Sequence, residues 1–400
     1  MKIDERTKKT LFPEECLLRE IVRDSNLAIG IPKEDESYET RLPLTPEGVA
    51  IVTEEGHKVY VERGAGHSVS YSDMQYSEAG AIIVEEKAEI FNTDIVLKIA
   101  PPTIKEVGMM KDGSSVLSTL QLNNLSVESI KLMKKKHLNA IAYELIKDEQ
   151  KAFPVMSSIS EIEGNAAILV AAELMNTKNG GKGLLLGGVA GISPVEIVIL
   201  GAGVTGIVAA KAAMALGAQV KVFDHDIKKL RKIQDMLGQH VFTSVIHPTV
   251  LFKAFASADA IVANLRYIND SERFMVSEDL VKTMKKGAII IDMSVDQGGC
   301  FETSECGTLL HPTFEKHGVI HYCVPNISAR VARTASMAFS NIFAPMILKI
   351  GRSGSVSLAI AESSGFRNGA YLYGGVLVNH LIAGYYGLSA SDIHLLLPGF

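Results

Sequence analysis

Gly201-Ala-Gly203-Val204-Thr-Gly206 sets three glycines in a G-x-G-x-x-G spacing directly after the apolar run Val195-Glu-Ile-Val-Ile-Leu200. Between a strand and a helix, the first glycine of such a turn permits the tight bend and the second lets a pyrophosphate approach the backbone. The third allows close packing of helix on strand, and the helix N-terminus then faces the phosphates. Asp224 closes the next strand pattern, Gln219-Val-Lys-Val-Phe-Asp224. A carboxylate there can bind both hydroxyls of a ribose and would repel a 2′-phosphate, so the segment predicts dinucleotide binding with NAD favoured over NADP. His225, Lys228 and Lys229 follow and would soften that charge, but they read as the solvated first turn of a helix.

Other reactive side chains are less self-explanatory. Lys98 ends the apolar run Ile95-Val-Leu-Lys98, at the strand end where α/β folds place ligands. Arg41, taken by its surroundings alone, is a charged loop residue ahead of a helix and reads as a surface position. Asp292 and Asp296 follow the run Ile289-Ile-Ile, and Asp292 is expected to cap or hydrogen-bond locally. Cys300, Cys306 and His311 lack any Cys-x-x-Cys pairing, so no zinc site is expected and the cysteines read as structural thiols. His317 and His321 have i, i+4 spacing, but Gly318 and Val319-Ile320 between them suggest a strand rather than a metal-binding helix.

The elements that must hold these groups follow an α/β rhythm. Strands are expected at Leu27–Ile31, Lys58–Glu62, Ala81–Val84, Ile95–Lys98, Ser115–Leu120 and Asn139–Tyr143, separated by helical spacers. Thr45-Pro46-Glu47 supplies a helix N-cap followed by proline at the first helical position. A long helical pattern over Ile159–Met175 and a glycine-rich stretch ending at Gly191 lead into the second unit. Its strands run at 195–200, 219–224, 260–263 and 288–292. The expected architecture is α/β, with two Rossmann-like doubly wound parallel-sheet domains separated by a cleft. Residues 1–154 and 333–400 would form the substrate domain and 155–332 the NAD-binding domain; residues 1–25 read as an N-terminal arm with one helix around Glu14–Val22.

Composition agrees with a globular protein. The 400 residues suggest two or three domains at ~150 residues each. Acidic residues number 45 against 40 basic, a net charge of -5 that gives no electrostatic case for nucleic acid or an anionic membrane. Four scattered cysteines argue against a disulfide framework, and the charged N-terminus lacks an apolar signal core, so a cytoplasmic protein is expected. Asn368–Ser391 contains no Asp, Glu, Lys or Arg and is long enough to span a bilayer. Its glycines favour a loop over 368–375 followed by a short buried helix over 376–385.

Several segments jointly resemble the alanine dehydrogenase family, which shares its fold with the NAD(H)-binding subunit of proton-translocating transhydrogenase. They are Ile29-Gly-Ile-Pro-Lys-Glu34, Glu39-Thr-Arg-Leu-Pro-Leu-Thr-Pro46, Gly64-Ala-Gly66, Asp73-x-x-Tyr76-x-x-Ala-Gly80 and Asp94-Ile-Val-Leu-Lys98. Gly181-Lys-Gly-Leu-Leu-Leu-Gly-Gly-Val-Ala-Gly191, Val295-Asp-Gln-Gly-Gly-Cys300 and His321-Tyr-Cys-Val-Pro-Asn326 complete the set. The resemblance runs from about residue 29 through 344, and residues 1–26 are additional to the usual family start. It implies reversible, NAD-dependent oxidative deamination of a small L-amino acid, most simply L-alanine to pyruvate and ammonium. It also implies a homo-oligomer, a hexamer built from dimers. By the same resemblance Arg41 grips the substrate carboxylate, Lys98 contacts the carboxylate or carbonyl, and Asp296 stands beside the nicotinamide. Asn326 lies on the loop that closes over substrate and cofactor, and Ser160 lies near the cofactor.

One position departs from the family pattern. Where the family carries a histidine as acid/base, within Ser118-Thr-Leu-Gln-Leu122, this chain has Gln121. Glutamine can orient a carbonyl or a water but cannot exchange a proton near neutral pH. The proton role then passes to Asp296 or Lys98. Otherwise the chain is a soluble NAD(H)-binding relative of the transhydrogenase subunit, or acts on another amino acid.

Overall fold

The computed structural model describes residues 26–121, 125–238, 240–265 and 275–397. The expected arm helix around Glu14–Val22 lies outside the described residues.

Six strands, β1 (Ala28–Ile31), β2 (Lys58–Glu62), β3 (Ile82–Val84), β4 (Ile95–Leu97), β5 (Ser115–Ser118) and β6 (Asn139–Ala142), form a parallel sheet in the order β3-β2-β1-β4-β5-β6. β4, β5 and β6 are buried at every position, as expected of strands covered by helices on both faces. The second sheet comprises β7 (Glu196–Leu200), β8 (Gln219–Asp224), β9 (Phe242–Val245), β10 (Ala260–Ala263), β11 (Ile289–Asp292), β12 (Thr313–Lys316) and β13 (Val319–Tyr322). Its parallel order is β9-β8-β7-β10-β11-β13, with β12 antiparallel at the edge. Strand order therefore reverses between β1 and β4 in one sheet and between β7 and β10 in the other. Each reversal opens a crevice at the carboxyl ends of the strands, the place where doubly wound folds bind ligands.

The first sheet is extended by two late strands, β14 (Ala370–Tyr373) and β15 (Val376–Leu377), with β14 antiparallel to β6 and β15 antiparallel to β14. This corrects the expectation of a loop over 368–375 and a helix from 376. Gly374 (φ 54) and Gly375 (φ 81) both adopt left-handed backbone and join Tyr373 to its partner Val376, a two-residue hairpin turn that side-chain-bearing residues rarely adopt. The short helix begins at His380, capped by the Asn379 side chain, and ends at Tyr386.

Two long helices connect the sheets. Helix Pro154–Leu174 contributes Val155 and Ile159 to the first core and Ala166, Ala167, Ile168, Val170, Ala171 and Leu174 to the second. Helix Ala332–Ser353 returns the chain and places Phe339, Phe343 and Ile347 in the first core. Among the described residues, the stretch Ile327–Ser353 is the one helix long and apolar enough to cross a membrane, and half of it is buried inside the molecule. The expected N-cap at Thr45 is present, its side chain accepting from the Gly48 amide with Pro46 as the first helical residue.

Candidate active site

β7 leads through Gly201 (φ 108) into helix Val204–Ala215, whose N-cap is Gly203. A Cβ on Gly206 would lie 1.8 Å from the Gly201 carbonyl oxygen, so only glycine lets this helix sit against the turn. A Cβ on Gly203 would meet nothing within 4 Å, because that residue faces open space. The space is a cleft of about 640 Å³ lined by Ser160, Gly203, Val204, Thr205, Asp224 and Asn264, among others. Asn264 follows β10, so the cleft lies at the strand-order reversal of the second sheet. Its buried side-chain oxygen has no hydrogen-bond partner. Asp224, almost fully buried, accepts from the Ala202 amide at 2.7 Å and the Asp226 amide at 2.9 Å, which fixes its carboxylate beside the glycine turn. Lys229 is mostly exposed and 4.0 Å from that carboxylate.

The crevice of the first sheet holds the two cations. Arg41 is 5% exposed, buried rather than on the surface as its sequence surroundings alone suggested. Its Nε donates to Glu39 Oε1 at 2.7 Å, Nη2 to Glu39 Oε2 at 2.5 Å and Nη1 to Ser328 Oγ at 2.8 Å. The guanidinium lies 5.4 Å from the Phe339 ring centroid, and Tyr143 packs edge-on against Phe339. Burial alone would lower the Arg41 pKa, but the Glu39 carboxylate more than offsets it and holds the group permanently charged. Glu163 also contributes to that field, from the helix that carries Ser160 into the cleft of the second sheet.

Lys98 stands just past β4 and is equally buried. Its Nζ donates to Glu106 Oε2 at 3.0 Å and lies 3.5 Å from Glu34 Oε2. Burial opposes the ammonium charge, and the two carboxylates reverse that effect and raise its pKa. They respond differently to the same cation. Glu106 also accepts from the Thr103 amide and, despite burial, is lowered to about 2. Glu34 accepts from the Ile99 amide at 2.6 Å and the Ala100 amide at 3.2 Å, yet burial dominates and raises it to about 7.

Gln121 lies beyond β5, at the same carboxyl edge as Lys98. Thr119 ties the two loops together, its amide donating to the Ile99 carbonyl at 2.9 Å. The Gln121 backbone has φ 33, a region non-glycine residues occupy only where the surroundings impose it. Asp296 sits in a single turn of 3₁₀ helix, Val295–Gln297, after β11. Burial, and then the Asp296 charge, raise the thiol of Cys306. Asp292 bonds locally as expected, accepting from the Ser294 and Cys300 amides and the Ser304 hydroxyl. Asn326 follows β13 and donates to the Tyr38 carbonyl at 2.9 Å and to Glu39 Oε2 at 3.2 Å, so it meets the same carboxylate that holds Arg41. Among the described residues, no cluster of three or more His, Cys, Asp or Glu could hold a metal.

The sequence singles out Arg41, Lys98, Gln121, Asn326 and the glycine turn as candidates but not their neighbours Glu34, Glu39, Glu106, Ser328 or Tyr143. Glu106 carried a readable signal, since Thr103-Ile-Lys-Glu106 is a capping box that the structure forms in both directions. Glu34 and Glu39 stood inside segments quoted for the family resemblance but had no periodicity to mark them as buried.

The two doubly wound sheets, one bearing a glycine turn above an acidic strand end, define a Rossmann-like α/β protein with a nucleotide-type cleft. Family models described as alanine dehydrogenase/PNT, N-terminal domain and C-terminal domain, match residues 30–163 and 167–380. The chain is 35% identical over 368 residues to an alanine dehydrogenase of Staphylococcus saprophyticus, covering 92% of this chain and 99% of that protein. It is 36% identical over 344 residues to an alanine dehydrogenase of Bacillus subtilis, covering 86% and 90%. A solved L-alanine dehydrogenase superposes with a TM-score of 0.83 at 31% identity, covering 90% of this chain and 99% of that one. A transhydrogenase from Sinorhizobium meliloti, 24% identical, shares the fold with a TM-score of 0.73 over 88% and 99%. The chain belongs to the alanine dehydrogenase/PNT family.

Proposed function

We propose that the chain is an NAD-dependent amino-acid dehydrogenase that reversibly converts L-alanine to pyruvate and ammonium. The observation that carries the reading is the buried state of Arg41, which keeps unused donors although it is already paired. A guanidinium has five N–H groups. Glu39 takes two and Ser328 one, which leaves two for a substrate carboxylate. Lys98 likewise divides an ammonium between Glu34 and Glu106 and retains a third donor for the substrate's carboxylate or carbonyl. The aromatic wall of Tyr143, Phe339 and Phe343 keeps this corner apolar and strengthens both contacts.

The cleft at the second sheet suits NAD. Gly203 leaves room for a pyrophosphate at the helix N-terminus, the Asn264 oxygen offers an unused acceptor, and Asp224 suits a ribose diol. When bound, the nicotinamide supplies the acceptor for the substrate's α-hydride. The protein's own part is to clamp the carboxylate with Arg41 and orient the α-carbon with Lys98. Asp296 is assigned the face beside the nicotinamide, Ser160 and Val204 the cofactor wall, and Asn326 the loop over both ligands. We further propose the division into a substrate domain, 1–154 with 333–400, and an NAD domain, 155–332. We also propose a cytoplasmic homo-oligomer. Exposed Leu185, Val189 and Ile192 on the glycine-rich segment support self-association.

Gln121 favours one competing reading, an NAD(H)-binding relative of the transhydrogenase subunit that turns over no amino acid. A panel of L-amino acids and 2-keto acids with ammonium, followed by NADH absorbance in both directions, separates the two. L-Alanine and pyruvate are expected to turn over, and Gln121→His is expected to raise the rate or shift its pH profile. Tight NADH binding with no turnover across the panel would reject the dehydrogenase.

A further inference from the structure

Oxidative deamination of an amino acid by NAD releases one proton beyond the hydride, and the site needs a group near its working pH to receive it. The side chain behind Lys98 meets that need. Glu34 follows β1, is 8% exposed, and is held from two sides: the Ile99 and Ala100 amides bind Oε1, and Oε2 lies 3.5 Å from the Lys98 ammonium. The other carboxylate on Lys98, Glu106, is committed elsewhere, since it also accepts from the Thr103 amide and pairs with Lys87 at 3.0 Å.

We propose that Glu34 is the proton store of this site, acting through Lys98 and leaving Lys98 as the group that touches substrate. The inference rests on the dehydrogenase reading above. In the deamination direction, one N–H bond of the Lys98 ammonium breaks as its proton moves to Glu34. The freed nitrogen lone pair then takes a proton from the substrate's ammonium, leaving the amine that gives up hydride, and both hydrogens of the water that adds to the iminium carbon end on the nitrogen that departs as ammonium. Lys98 ends as it began, Glu34 ends protonated, and the single released proton is accounted for. Reductive amination runs the same transfers backwards.

The charged and titratable groups facing Glu34 set its response. Burial is the largest influence and raises it, Lys98 lowers it, and Glu39 and Glu106 raise it, to about 7. Tyr143, which feels the Glu34 charge, is itself raised well above the ordinary tyrosine range by burial, and so stays neutral across the working range. Glu106, at about 2, stays ionised throughout. Glu34 can accept a proton only when ionised, so kcat/KM for L-alanine should fall about tenfold per pH unit below about 7 and level off above it.

The test is the pH profile of kcat/KM with L-alanine for the wild type, Glu34→Gln and Glu34→Asp, with NADH affinity followed by fluorescence. Glu34→Gln should lose the acidic limb and at least about tenfold of the plateau rate. Its NADH affinity should stay within about twofold, and Glu34→Asp should restore a limb. A Glu34→Gln enzyme with the wild-type limb overturns the proposal. Should Glu34→Gln fail to fold, Glu106→Gln decides, because removing that negative neighbour must move the limb to lower pH; a limb that stays or moves upward overturns the role. A wild type with no alanine turnover at any pH removes the dehydrogenase reading and this inference with it. Turnover with an unmoved limb removes this inference alone.

Discussion

At the scale of single residues, the site is built from charges that are buried because they are shared. Arg41 and Glu39 form a bidentate pair at 3% to 5% side-chain exposure, and such a pair is costly to break, typically about 3–5 kcal/mol when one partner is removed. Its value for function lies in geometry, since a planar fork already fixed on one edge presents its other edge in one orientation. Arg41→Lys keeps the charge but cannot hold Glu39 at two points and still offer two parallel donors. The expected result is a KM for L-alanine raised by about 10- to 100-fold, or about 1.4–2.8 kcal/mol, with NADH affinity unchanged. Steady-state kinetics with a fluorescence titration checks this, and a loss shared equally by NADH would move Arg41 out of the substrate site. The sequence showed that Arg41 and Lys98 were present but not what neutralises them. The partners are brought in by the fold, Glu106 from the helix Ile104–Met109 and the Ser328 hydroxyl reaching Arg41 across 287 positions of chain.

At the scale of elements, glycines decide how closely helices approach the cleft. Helix Pro154–Leu174 crosses the fingerprint helix Val204–Ala215 at Gly164, where an added Cβ would lie 2.6 Å from the Thr205 carbonyl oxygen and 2.8 Å from the Val208 Cβ. Both obstacles are rigid, so Gly164→Val must push the two helices apart. The Thr205 carbonyl belongs to the first turn of the nucleotide helix, so the displacement should reach the cleft. We expect a lower melting temperature, equivalent to about 1–3 kcal/mol of overpacking, and weaker NADH binding, read by thermal melting and fluorescence titration. Unchanged NADH affinity would mean that the helix N-terminus is positioned independently of this crossing. The central strands and the glycine turn were legible because apolar runs and a motif with strand and helix context are local signals. The edge strands were less so: β9 and β12 carry no fully buried residue, and so no apolar run marks them. The hairpin at 370–377 escaped for another reason. Its Gly374-Gly375 pair is a hairpin signal, but the same glycines also suit a loop, and only pairing of β14 with the distant β6 shows the strand.

At the scale of the whole molecule, the Tyr38–Arg41 segment of the first sheet is stapled to the segment leaving the second. Thr40 Oγ1 donates to the Ala329 carbonyl at 3.0 Å, Arg41 reaches Ser328, and Asn326 donates to both Tyr38 and Glu39. The residues that fix Arg41 therefore come from segments attached to both sheets, so a change in their separation is felt at the guanidinium. Asn326→Ala removes two donors from this staple and Ser328→Ala removes the acceptor that holds Nη1. Each should raise KM for L-alanine several-fold, with Ser328→Ala leaving NADH affinity within about twofold and Asn326→Ala weakening NADH less than L-alanine. Because both loosen the same Glu39–Arg41 pair, the double variant should cost less than the sum of the singles, with an interaction energy of about 0.5–3 kcal/mol. Simple additivity would mean that the two contacts act on separate parts of the site. If Asn326→Ala instead weakened NADH as much as L-alanine, that asparagine would belong to the cofactor, and the first sheet would hold its arginine without help from the second.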